Sequence, residues 1–146
     1  MQEQIPHQEI ADKYRDLVKS LVLEAEMPQN FVSQLTRLEA ELQPRTYIEE
    51  ILVSDIAANQ WRRTRAQQME KALMDYEVDN FQPPSGGLQP VTKAVLACRW
   101  AAGQSGIFDL LGRSETRYAR NMAASLRLLL QLRAARLTDK IERKDI

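Results

Sequence analysis

The chain has one cysteine, Cys98, and one histidine, His7, and these two shortages exclude much chemistry. With a single cysteine no internal disulfide can form, so a reducing compartment is the natural setting and a cytoplasmic location is expected. One histidine, in a terminus expected to fray, excludes histidine-based triads and multi-histidine metal sites. Glycine, at 5 residues, and proline, at 6, are also scarce, while Leu, Ala, Arg, Glu and Gln abound, the profile of an all-helical protein. No apolar run reaches the roughly 18–20 residues that span a bilayer, so no membrane partner is expected. Met1 to Glu9 lacks a basic stretch followed by an apolar core, and no secretion signal is read there.

At 146 residues the chain is long enough to bury most of its apolar surface without disulfides or metal, and it is read as a single helical domain, 1–146. Its organising stretch is 46–79. Thr46 and Glu49 have capping-box spacing, in which the hydroxyl accepts from the third helical N–H and the carboxylate reaches back to the cap. Ile48, Ile51, Leu52, Ile56, Asn59, Arg63, Ala66, Met69 or Glu70, Leu73 and Tyr76 follow at helical spacing, predicting a rod of roughly 45–50 Å.

Before it, Ile10, Tyr14, Leu17, Val18, Leu21 and Val22 share one face of a helix from Gln8 to about Ala25. Pro28 suits the first turn of a second, short helix with the stripe Phe31, Leu35, Leu38 and Leu42, closed by Gln43-Pro44. After it, Asn80-Phe81-Gln82-Pro83-Pro84-Ser85-Gly86-Gly87 predicts a surface loop at about 80–90. This loop lacks the Gly-Lys-Ser/Thr ending of a nucleotide-binding loop, so a connector is the expected role. Val91 to about Gly103 resumes helix with Val91, Ala94, Val95, Cys98 and Ala101 or Ala102 on one side, which makes Cys98 a buried small apolar residue. Gly103 to Gly106 interrupts it, an apolar run restarts at Ile107, and a final helix carries Tyr118, Met122, Leu126, Leu129, Leu130 and Leu132. The expected fold is therefore an all-α bundle of about five helices. Two long antiparallel helices, about 46–79 and 114–137, form its core. The termini, 1–7 and 139–146, are expected to fray.

The formal net charge of zero conceals a gradient. Acids dominate up to Gln60, and arginine and lysine dominate beyond Gly112. The structural explanation sets the acidic early segment beside the basic late one; the alternative has the basic tail meet phosphate. Within the long helix, Asn59 and Arg63 interrupt the apolar ladder, where they could pair with a carboxylate of another helix and set register. Trp61 lies beside Ala57, Ala58 and Arg65, and the small alanines leave room for the indole to pack, so the preferred reading is a core tryptophan flanked by solvated arginines, with an aromatic and arginine patch on nucleic acid as the alternative.

Catalytic chemistry is not expected. Glu24 with Glu26, Glu39 with Glu41, and Glu49 with Glu50 are neighbours that point to different helix faces, and no Glu-x-x-His word of a carboxylate-bridged metal site occurs. No cofactor, metal or small-molecule substrate is indicated. The reading is a non-enzymatic interaction or assembly protein that self-associates as a homo-oligomer or binds a protein partner. Its candidate interface is Trp61, Arg65, Leu128, Leu130 and Leu132, because leucines from Leu126 to Leu132 cover more of the last helix than one internal contact requires. The alternative is a nucleic-acid-binding accessory protein using Arg62, Arg63, Arg65, Arg113, Arg117, Arg120 and Arg127, with Arg133 and Arg136 on the same basic segment.

Leu23-Glu24-Ala25-Glu26-Met27-Pro28, Phe31, Leu35, Glu41-Leu42-Gln43-Pro44, Leu52-Val53, Ile56-Ala57 and Trp61-Arg62-Arg63 form a pattern. With Phe108 to Glu115, Arg120, Ala124, Leu126, Leu129 and Leu132, it resembles a family of uncharacterised bacterial proteins, many with an Asn-Ala-Leu-Lys-His-Gly word near the amino terminus. The likeness covers about two thirds of the chain by alignment of these words and implies a helical architecture, with no implied chemistry. Here the Asn-Ala-Leu-Lys-His-Gly word is missing or degraded to Arg15-Asp16-Leu17-Val18-Lys19-Ser20-Leu21. The basic, glycine-containing lead-in whose composition would suit DNA is missing too.

Overall fold

The computed structural model describes residues 14–82 and 87–142, with the backbone alone at 102, 104, 105 and 139–142. Five helices follow in order: α1 (Arg15–Leu21), α2 (Pro28–Leu42), α3 (Tyr47–Asn80), α4 (Pro90–Ser105) and α5 (Ile107–Glu142). Among the described residues there is no strand, and the architecture is an all-α bundle built on the two long helices α3 and α5. Packing divides the described residues into two compact units, one comprising those up to Asn59 together with those from Asn121 onward, the other Gln60–Arg120.

The first unit holds α1, α2, the start of α3 and the end of α5. Tyr14 is buried and its hydroxyl donates to the Glu39 carboxylate of α2. The predicted first helix ends at Leu21, short of Ala25, because the Glu26 carboxylate accepts from the Leu23 N–H at 2.8 Å and draws the backbone into a turn before Pro28. Its expected start at Gln8, with Pro6, His7 and Ile10, lies outside the described residues. Pro28 opens α2, where its missing N–H costs no helical bond. Phe31 and Leu35 are fully buried, and the Gln34 side-chain amide donates to the Ala57 carbonyl at 3.3 Å, fastening α2 to α3. The helix stops at Gln43, a non-glycine residue in the left-handed region at φ 43°.

Helix α3 begins with half of the expected box. The Glu49 N–H donates to Thr46 Oγ1 at 3.4 Å, but the Glu49 carboxylate turns one residue further back and accepts from the Arg45 N–H at 2.9 Å. Its buried side in this unit is Glu49, Leu52, Val53, Ile56, Ala57, Ala58 and Asn59. Ile48 and Ile51, expected in the ladder, are exposed. The inward stripe enters at Glu49 in place of Ile48 and then continues through Leu52, Ile56 and Asn59 as expected. Ten residues forward along α3, from Glu49 to Asn59, partners on α5 run backward from Arg133 to Asn121, so the helices are antiparallel here.

The second unit holds the rest of α3, α4 and the start of α5. Among the described residues its buried side chains are Ala66, Ala97, Ala101 and Leu111. Of the later ladder positions, Met69 and Tyr76 are exposed, whereas Glu70, the alternative to Met69, and Leu73 are half-buried. On α4 the expected face is corrected as well. Val91 and Val95 point outward and Cys98 is half-buried; Ala101 is buried as expected, and its inward companion is Ala97, because small side chains let helix backbones approach closely. Gly103 does not interrupt α4. The break falls at Gly106 alone, in the left-handed region at φ 60°, and α5 starts directly after it at Ile107, seven residues ahead of the expected 114.

Candidate interaction surface

The inward side of α5 reads Leu111, Glu115, Tyr118, Met122, Ser125, Leu129, Leu132 and Arg136, all buried or half-buried, at spacings alternating between four and three. That of α3 reads Glu49, Leu52, Ile56, Asn59, Arg63 and Ala66 in the same rhythm. This is the seam of helices packed knobs into holes, and polar residues occupy several of its positions.

Glu49 has no exposed surface. One carboxylate oxygen, Oε2, accepts from the Arg45 N–H and lies 3.4 Å from Arg133 Nη2; the other, Oε1, is 2.9 Å from Arg136 Nη2, within ion-pair distance but outside hydrogen-bond geometry. Arg133 Nη2 also donates to the carbonyl oxygens of Leu42 and Gln43, the last of α2. The cluster therefore ties the α2–α3 connector to α5, and it places an early acid beside two late cations as the charge gradient suggested. The Arg45 N–H bond holds the Glu49 carboxyl below the usual glutamate range. Burial pushes the other way, and the Arg136 and Arg133 charges add to the lowering.

Also in the first unit, Asn59 is buried and its Oδ1 accepts from Asn121 Nδ2 at 3.5 Å. In the second, Arg63 Nε lies 3.3 Å from Glu115 Oε1, which also accepts from Gln67 Nε2 at 2.6 Å. Arg63 thus meets a carboxylate of another helix, the role the sequence allowed it. Both partners are partly exposed, so the pair contributes about 0–1 kcal/mol and serves mainly to fix register.

The candidate interface residues fall into both units. Trp61 and Arg65, in the second, are half-buried. In the first, Leu132 is half-buried, and Leu128 and Leu130 are 45% and 56% exposed on either side of Leu129, which is fully buried. At about 100° per residue, Leu128 and Leu130 lie on opposite flanks of the buried seam. Leu126 and Leu137, expected to face inward, continue the Leu130 flank at 39% and 63% exposure. Sequence reasoning missed two further apolar surfaces: Tyr47, Ile48 and Ile51 at the start of α3, and Val91 with Val95 on α4, where Trp100 is exposed on a different side. The signal for the second was the run of alanines on α4, which marks its inner face and sends larger residues outward.

Of the candidate nucleic-acid contacts, Arg62, Arg120 and Arg127 are exposed, and Arg65 is half-buried. Arg63 is engaged by Glu115. Arg113 pairs with Asp109 one turn earlier, and the Arg117 guanidinium sits 5.1 Å over the Tyr118 ring. Arg133 and Arg136 are drawn to Glu49. Among the described residues no three His, Cys, Asp or Glu side chains gather as a metal site requires, and no helix is long and apolar enough to cross a membrane. Compared with protein-family models, with curated proteins and with solved structures, the chain matches none. The resemblance drawn from its sequence words accordingly stands on those residues alone.

Proposed function

We propose that the chain is a non-enzymatic helical assembly protein of the cytoplasm that self-associates through the apolar flanks of α5. The observation that carries this reading is the exposure of Leu128 and Leu130 on either side of buried Leu129, with Leu126 and Leu137 extending one flank. A single intramolecular seam accounts for Leu129 and leaves both flanks apolar; on one of them Leu126, Leu130 and Leu137 form a continuous exposed strip, and contiguous exposed apolar surface marks association sites.

The test is light scattering over a hundredfold range of concentration, comparing the native chain with Leu128→Glu/Leu130→Glu. The native chain should form an oligomer and the variant a monomer, with folding stability changed by no more than about 0.5 kcal/mol per exposed site. A native chain that stays monomeric throughout, or a variant that associates as well as the native chain, overturns the proposal. Leu129→Ala serves as the contrast: loss of a fully buried leucine should cost about 2–5 kcal/mol of stability.

A further inference from the structure

In the first unit, a depression of about 290 Å³ opens beside the Glu49 cluster, lined by Arg45, Arg133 and Arg136, with Leu42 and Leu137 supplying apolar wall and Glu41 the acid among its lining residues. Arg133 acts in the fold through Nη2, and Arg136 through its Nη2 contact with Glu49. Arg45 enters the fold through its backbone N–H; among the described residues its guanidinium makes no hydrogen bond or ion pair. Each guanidinium carries five N–H donors in a planar fork, so the three together retain most of their donor capacity. The charge balance is also open. Three cations meet the buried Glu49 and Glu41, and Glu41 is itself shared with Arg37 at 3.3 Å. A volume at the low end of small-molecule sites, with two leucines beside the cations, fits an anionic head on a short apolar body better than a bare inorganic ion.

We infer that this depression binds a small organic anion, a carboxylate or a phosphate monoester, with its oxyanion on the Arg45 fork and the remaining N–H donors of Arg136 and its body against Leu42 and Leu137. Planar, bidentate recognition is the use for which arginine outperforms lysine. Leu137 belongs both to this depression and to the proposed association flank, whereas Arg45 belongs only to the depression and Leu128 and Leu130 only to the flanks, so the variants at Arg45 and at Leu128 and Leu130 keep the two readings distinguishable.

Isothermal titration of the full chain with phenyl phosphate, benzoate and inorganic phosphate, at matched ionic strength, tests it. Phenyl phosphate or benzoate should bind saturably, and whichever is tighter identifies the head group. Inorganic phosphate should bind several-fold more weakly than phenyl phosphate, because it cannot reach the leucines. Arg45→Gln should weaken binding roughly tenfold, as one charge-assisted pair is removed. Because the Arg45 guanidinium makes no hydrogen bond or ion pair among the described residues, that variant should keep the native melting temperature, and Leu137→Ala should erase the advantage of the phenyl group. Absence of saturable binding by both organic probes, or equal affinity in a folded Arg45→Gln variant, overturns the inference.

Discussion

Glu49 shows what a charged side chain requires in order to sit on the inward face of a helix. An ionised carboxylate without solvent is tolerated only where donors and cations replace its water. Here the replacements are the Arg45 N–H, Arg133 and Arg136. Glu49→Gln keeps the shape and removes the charge, leaving two guanidinium groups facing an amide, and its melting temperature should fall. The pH dependence follows from the lowered carboxyl pKa. A group held below its unfolded value contributes stability that is fully present above the usual glutamate range and is lost as pH falls through the lowered value. Melting curves of the native chain should therefore drop steeply on the acid side. Those of Glu49→Gln should start lower and drop less, so parallel acid limbs in the two proteins would contradict this assignment.

At the scale of the elements, the sequence was informative about where helices lie and less so about which way they face. Thr46, Pro28 and the 80–90 loop marked boundaries because capping and proline chemistry act over a few residues. Leu52, Ile56, Asn59 and Ala66 on α3 and Ala101 on α4 are buried as their spacing implied, and the misses are particular residues with separate reasons. Counting apolar residues assigned Ile48 and Ile51 to the core, whereas partners more than eighty positions away make Glu49 the buried residue. Counting size favoured Val91 and Val95, whereas close packing selected Ala97 beside Ala101. The ion cluster that carries the candidate pocket was legible as an acid-to-base gradient, but not as named pairs, since pairing depends on register that only the folded helices supply. The α4–α5 junction offers a sharp check. An added Cβ would meet no neighbour at Gly103 or at Gly106, yet only Gly106 has positive φ. Gly103→Ala should stabilise the chain by about 0.4–1 kcal/mol through helix propensity and reduced unfolded-state freedom. Gly106→Ala should destabilise it by about 1 kcal/mol or more, since an alanine resists the left-handed conformation. Chemical denaturation of the two variants reads both signs.

For the molecule as a whole, the two units differ in what they bury. The first contains Phe31, Leu35, Leu52, Val53, Ile56 and Leu129; the described core of the second is three alanines and Leu111. Since burial of large apolar groups sets local stability, amides of α4 should exchange with solvent faster than those of Leu52 to Ala58 on α3. Equal protection in the two segments, measured by hydrogen exchange, would contradict that ranking. The first unit is also discontinuous, its closing strip arriving only from Asn121 onward. During synthesis Glu49 leaves the ribosome 84 positions ahead of Arg133, an interval of several seconds at typical translation rates of about 5–20 residues per second. Through that interval the acid waits without its cations, and a nascent chain halted near residue 120 would lack the register that Arg133 and Arg136 impose.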